Sequence, residues 1–152
     1  MNPTPSDAPE PRFFSFEEAN RTLPLVRRIV EDITDLYREM EPVLARYRSL
    51  PADQKSGEPG RALEAQAGAR AEEVDALVHE LHELGCHFKG FQDGLVDWYS
   101  YYAGRPVFLC WKLGEPEIAY WHQVDAGFAG RQPILPSQRS AFRSTRGRDG
   151  SG

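Results

Sequence analysis

The stretch Gly104–Val124, GRPVFLCWKLGEPEIAYWHQV, decides the fold. Val107–Leu113 and Ile118–Val124 are rich in aromatic and β-branched residues, and Gly114-Glu115-Pro116 separates them. Two such runs about a turn predict antiparallel strands. Upstream, Leu95–Tyr102 has the same character and ends at Ala103-Gly104-Arg105-Pro106. Together they make an antiparallel meander of three strands, and His87–Phe91 can add a fourth at the edge.

A register follows from the turns. If Gly114-Glu115 is a two-residue loop, Lys112 faces Glu117, Trp111 faces Ile118, Leu109 faces Tyr120 and Val107 faces His122. Pairing Tyr102 with Val107 then sets Asp97 opposite Lys112 and Trp98 opposite Trp111. One face carries Trp98, Leu109, Trp111, Ile118, Tyr120 and His122. The other carries Asp97, Tyr99, Phe108, Cys110, Lys112, Glu117 and Trp121. His122 and Asp97 thus fall on opposite faces, and a slip of one residue would exchange those faces.

The first half of the chain has a different period. Ser15 and Glu18 match a capping box, with Phe14 placed to staple it. Leu23 precedes a proline, which predicts a break or kink before Pro24. From Leu25 to Tyr47, apolar residues recur at steps of three and four, so one amphipathic helix is expected, with Pro42 a further point of bending. The segment PADQKSGEPG closes it. A second helix is expected over Ala62–Leu84, with Gly85 as its C′ residue. The fold class is therefore α+β: a long antiparallel helical hairpin packed, through the Trp98/Trp111 face, on a small antiparallel β-meander of three or four strands.

The chain has 152 residues, a formal charge of -5 and two cysteines. That length suits one domain, expected over residues 13–135. Residues 1–12 are rich in proline and polar side chains and are expected to be disordered. Residues 136–152, with four arginines against one aspartate, are expected to form a loose basic tail. An acidic domain is not built as a whole to bind nucleic acid, although the tail offers a weak, salt-sensitive contact. Cys86 and Cys110 form no CxxC pair, so neither a disulfide framework nor a zinc knuckle is indicated. No apolar run reaches the length of a membrane span, and MNPTPSDAPEP lacks the features of a signal peptide. A cytoplasmic protein with reduced thiols is expected, without membrane contact.

Candidate chemistry concentrates in the second half. Asp97, Glu115 and His122, with Asp93 and Glu117 nearby in sequence, are carboxylates and an imidazole of the kind that hold a divalent metal or move protons. Arg131 and Arg105 can close over an anion or pair with an acidic neighbour. Cys110 lies mid-strand without a basic neighbour to lower its pKa, which favours a buried structural thiol. In HELHELGCH, His79–His87, the spacing is not HExxH, and His79, His82 and Cys86 would project opposite the apolar stripe; solvent-facing histidines near a helix end are the simpler reading. Glycine-rich phosphate loops are absent.

Three blocks carry a resemblance: SFEEANRTLPLV (Ser15–Val26), GLVDWYS (Gly94–Ser100) and GRPVFLCWKLGEPEIAYWHQVDAGFAGRQPI (Gly104–Ile134). Over Phe13–Ile134 the chain resembles the bacterial family called domain of unknown function 2203. The matching signature positions are Asp97, Cys110, Trp111, Gly114, Glu115, Trp121, His122, Gly127, Phe128, Gly130 and Arg131. The resemblance implies a cytoplasmic bacterial protein with no familiar cofactor motif, and it marks that set without assigning roles. The family pattern has Lys-Asp before GLVD and Phe-Pro after it. This chain has Lys89-Gly90 and Trp98-Tyr99 there, so any ligand or base that the family's Asp supplies at position 90 is lacking here.

Two functions are consistent with these residues. The first is a non-enzymatic binding or assembly module. It would form a homodimer or higher homo-oligomer through the apolar stripe of its helices and hold a protein or small-molecule partner on its C-terminal loops. The second is a metal-dependent enzyme, a hydrolase for instance, with His122 and the carboxylates of Asp97 and Glu115 as metal ligands.

Overall fold

A computed structural model describes residues 11–147. In chain order the elements are α1 (Phe16–Arg48), α2 (Ala52–Lys55), α3 (Glu58–Leu84), β1 (Cys86–Gly90), β2 (Leu95–Tyr102), β3 (Arg105–Lys112), β4 (Tyr120–Gln123), β5 (Gln132–Pro133) and β6 (Phe142–Arg143). The strands form one antiparallel sheet in the order β1-β2-β3-β4-β5, with β6 paired to β2. The α+β class holds, with more strands than the expected three or four.

Helix α1 starts where its sequence says. Ser15 Oγ accepts from Glu18 N–H at 3.0 Å, and Glu18 Oε1 accepts from Ser15 N–H at 2.8 Å. The expected break at Leu23-Pro24 does not occur; α1 runs through Pro24 and Pro42 without interruption. A proline inside a helix costs about 3 kcal/mol. Phe16, Ala19, Leu23, Val26, Ile29, Val30 and Ile33 are all buried along one continuous stripe. Burial of each large apolar side chain contributes about 1.5–3 kcal/mol, so the stripe outweighs the proline.

Helix α3 begins at Glu58, earlier than expected, and ends as expected at Gly85, whose φ is 98°. A side chain there would be strained by that φ and would crowd Arg12 and Phe14, with contacts of 3.0 Å. Helices α1 and α3 make the most extensive contact of any two elements. Glu39 meets Arg70, and Tyr47 meets Glu64, so the two chain directions oppose each other.

The sheet lays Val96, Trp98, Val107, Leu109, Trp111 and Trp121 into one core with the α1 stripe. Trp98 Nε1–H donates to Thr22 Oγ1 at 3.0 Å, tying the sheet to α1. Phe14 N–H donates to Tyr99 O at 2.8 Å beside β1.

Both expected registers are corrected. Strands β2 and β3 join through Ala103-Gly104, with φ of 54° and 76°, so Tyr102 faces Arg105 and Asp97 faces Cys110. That is a shift of two residues from the expected pairing, and the faces survive it. Strands β3 and β4 pair Leu109 with Trp121 and Phe108 with His122. That is a shift of one residue, and it reverses β4: Trp121 turns into the core and His122 turns to the outer face. The cause is the loop 113–119, which is wider than a two-residue turn. Glu115 folds back to accept from Lys112 N–H at 2.9 Å, and Ile118 N–H donates to Asn20 Oδ1 at 2.9 Å.

The expected loose tail is also corrected over its first part. Residues 136–141 form a 3-10 turn, β6 follows, and Phe142 is buried in the core cluster. The arginines there engage the domain: Arg139 lies over Phe16, and Arg146 over Tyr101. The expectation of disorder over residues 1–10 and 148–152 lies outside the described residues. Among the described residues, no helix is long and apolar enough to cross a membrane.

Ser15→Ala removes one half of the capping box and is expected to lower stability by about 1 kcal/mol in urea unfolding at neutral pH. The Ser15 backbone N–H holds the Glu18 pKa below its ordinary 4.5. The Glu18 contribution is therefore present above the unfolded value and lost as pH falls through the folded one. Glu18→Gln should show a smaller loss of stability over that acid range than the parent; equal losses would separate the box from helix stability.

Candidate metal site on the outer sheet face

The corrected register builds a site that the expected one separated. Asp97 on β2 faces Cys110 on β3, and His122 on β4 lies one pair away, opposite Phe108. Asp97 and His122 come from strands two apart, about 9.5 Å across the sheet. Both side chains lean over β3 and meet. His122 Nε2 lies 3.2 Å from Asp97 Oδ2 and 3.3 Å from Oδ1. Asp97, Cys110 and His122 each offer one ligand atom, and those atoms lie within 4.8 Å of one another. All three residues are buried.

The other imidazole nitrogen is fixed by the backbone. His122 Nδ1 lies 2.8 Å from Gln123 O, so Nδ1 carries a proton and donates it there. Nε2 is left facing the carboxylate. A metal-bound histidine commonly has this arrangement, with its second ring N–H on a carbonyl. Burial, followed by the Asp97 charge, pushes the Cys110 thiol up to about 12. It is a protonated thiol at neutral pH, hydrogen-bonded to Asp97. As a free nucleophile it is inert, in line with the expectation for Cys110.

Above the three residues is a cavity of about 240 Å³, lined also by Lys89, Leu95, Phe108, Val124, Gly127 and Phe128. Larger hollows of about 550 and 560 Å³ lie along α1. Neither has a comparable cluster at its floor.

Glu115 and Arg131 belong to a different construction. Arg131 donates through Nη1 to Glu115 Oε2 at 2.9 Å and through Nη2 to Oε1 at 2.8 Å. Its guanidinium lies 3.8 Å from the Tyr120 ring centroid and 4.8 Å from that of Phe128. Burial, the largest single influence, works against the Arg131 charge, but the Glu115 hydrogen bond and the charges of neighbouring acidic groups together outweigh it and the pKa is raised. This bidentate pair clamps the 113–119 loop to the Phe128 loop. It fixes the wall of the cavity and leaves Glu115 outside the Asp97–Cys110–His122 cluster.

The remaining candidates disperse. Arg105 is exposed at the β2–β3 turn. His79 pairs with Glu83 at 2.6 Å on the exposed side of α3. Cys86 is turned inward, its Sγ–H donating to Leu81 O at 3.3 Å, so it forms no group with His79 and His82. Two contributors went unrecognised in the sequence. Cys110 already shared a face with Asp97 in either β2–β3 register, and only the misplaced His122 hid its part. Lys89 carries no local signal; the short strand β1 is what brings it to the cavity.

A family model described as "Uncharacterized conserved protein (DUF2203)" matches residues 12–134. The chain belongs to this family. The DUF2203 match spans Asp97, Cys110, His122, Glu115 and Arg131 and stops just short of the β6 segment. No curated protein and no solved structure matches the chain.

Glu115→Ala strands the Arg131 guanidinium in a largely buried position. The expected loss is about 2–4 kcal/mol, read as a lower urea midpoint, with His122 and Asp97 untouched. A loss below about 0.5 kcal/mol would show the pair behaving as a surface ion pair.

Proposed function

We propose that this DUF2203 protein is a metal-binding domain that takes a zinc-class divalent ion at Asp97, Cys110 and His122. The observation that carries this reading is the spacing of Nε2 from the Asp97 oxygens, 3.2 and 3.3 Å. A charge-assisted N–H···O bond is shorter, about 2.7–2.9 Å. The edge of a zinc tetrahedron with bonds of 2.0–2.2 Å is about 3.3–3.5 Å, close to the observed spacing. A thiolate, an imidazole and a carboxylate are also a donor set suited to zinc. Three protein ligands beside a cavity match the composition of sites that keep one coordination position open.

This reading reverses the order in which the sequence alone ranked its two functions. Metal-dependent chemistry, hydrolysis included, is the activity class it supports. A bound ion of this kind lowers the pKa of coordinated water toward about 7. The chain's own part is to hold His122 through the Gln123 carbonyl and to give up the Cys110 proton. Because binding displaces protons, affinity falls as pH falls.

The test is elemental analysis of untagged protein purified without chelator, followed by titration with Co²⁺. About one equivalent per chain is expected. His122→Ala, Asp97→Asn and Cys110→Ser should each lose it while keeping the parent circular dichroism; Glu115→Gln should retain it. Protein without metal that also fails to take up Co²⁺ would refute the reading.

A second observation supports assembly through the helices. Among the described residues of α1, none after Thr34 is buried. Yet Leu36, Tyr37, Met40, Val43, Leu44 and Tyr47 continue the apolar stripe, and Leu44 is 37% exposed. A second copy of the chain laid against this end would cover them. Sedimentation should give a dimer that Leu44→Glu converts to a monomer with unchanged helix content. A parent protein that sediments as a monomer at micromolar concentration excludes this assembly.

A further inference from the structure

We infer that the cavity over the Asp97–Cys110–His122 site receives a small monoanion of the carboxylate class with a flat apolar body. The inference rests on the metal reading above and names the ligand class for the same site.

Charge sets the anion. A divalent ion held by one thiolate, one carboxylate and a neutral imidazole is neutral as a unit. The cavity's lining adds one formal charge, the ammonium of Lys89, which lies 5.3 Å from the Phe108 ring centroid. A single negative charge on the ligand closes the balance at the open metal position. A dianion would exceed it, and a cation would face Lys89.

The walls set the body. Phe108, Leu95, Val124 and Phe128 are apolar, and Val124 and Phe128 stand 46% and 44% exposed at the cavity. Exposed apolar side chains gathered at a polar floor are what a ligand with an apolar body would cover. Phe128 lies against the Arg131 guanidinium at 4.8 Å, which supports that wall of the cavity. The cavity of about 240 Å³ has room for a small ligand on the scale of one aromatic ring with a carboxylate.

The experiment uses the full chain loaded with Co²⁺ and reads its visible absorption, in which thiolate ligation and coordination number are both seen. Benzoate, acetate, inorganic phosphate and benzylamine are titrated in turn. Benzoate should change the spectrum saturably and bind at least about 10-fold more tightly than acetate, because its ring leaves water. Benzylamine should leave the spectrum unchanged. Lys89→Ala should weaken benzoate about 3- to 5-fold, an effect that shrinks with added salt, without altering the ligand-free spectrum. Phe128→Ala should remove most of the advantage of benzoate over acetate. A normal Co²⁺ spectrum that benzoate leaves unmoved overturns the ligand class and leaves the metal site standing. Tighter binding of phosphate than of benzoate overturns it as well. Absence of any Co²⁺ spectrum refutes the metal reading and this inference with it.

Discussion

The pairing of β3 with β4, Phe108 opposite His122 and Leu109 opposite Trp121, is the constraint on which the rest of the molecule depends. Side chains on a strand alternate with a period of two, so one residue of slip sends Trp121 out and His122 in. The core would then hold an imidazole among the tryptophans, and the outer face would lose the third member of its polar cluster. Contacts remote in sequence hold the register. Asn20 on α1 takes the Ile118 N–H, and Arg27 donates to Pro116 O at 2.9 Å. Trp111 Nε1–H donates to Glu115 O at 2.9 Å from within the core. The site on one face is thus set by the helix on the other.

The same dependence runs back to the first turn of α1. The capping box fixes where the helix starts, and the start fixes the phase at which Asn20, Thr22, Leu23 and Arg27 meet the sheet. Thr22 accepts from Trp98 and itself donates to Ala19 O at 2.7 Å, so the indole hydrogen bond is built into the helix backbone. Pro24 follows directly, on the exposed side of the helix. The helix is kept continuous by what it buries, in a segment where local propensity alone would interrupt it.

Much of this architecture was legible in the sequence, for local reasons. Ser15 with Glu18, the stripe from Leu25 to Ile33, and Gly85 each report on residues within a turn or two of themselves. The two faces of β2 and β3 were legible for a similar reason: an error of two residues in their pairing leaves every side chain on its proper side. The candidate site was not legible, because it hangs on the parity of the 113–119 loop. That parity is decided by Asn20, almost a hundred residues away, and by Glu115 turning back on Lys112. Gly-Glu-Pro reads locally as a tight turn, and nothing near it announces the wider one. The folded segment around Phe142 escaped notice because its anchor is one aromatic residue among serines and arginines.

The buried cluster is hard to explain by stability alone. Asp97 is 5% exposed and His122 2%, on a sheet face that also carries Tyr99, Phe108 and Tyr120. Burying ionisable groups is unfavourable unless their partners compensate, and apolar residues of similar volume are often as stable or more so. Here the compensation is incomplete by hydrogen-bond standards. The imidazole has a short bond on its Gln123 side and longer contacts on its Asp97 side. Cys110, pushed away from ionisation by burial and by Asp97, adds nothing to balance the pair. Folding alone would favour filling the adjoining cavity with the side chains of Phe128 and Val124. The chain instead holds Phe128 back on Arg131 and keeps the polar floor open. A dication at that floor would neutralise the two anionic ligands and meet the Nε2 edge of His122 that points at Asp97, supplying the compensation that the protein groups lack.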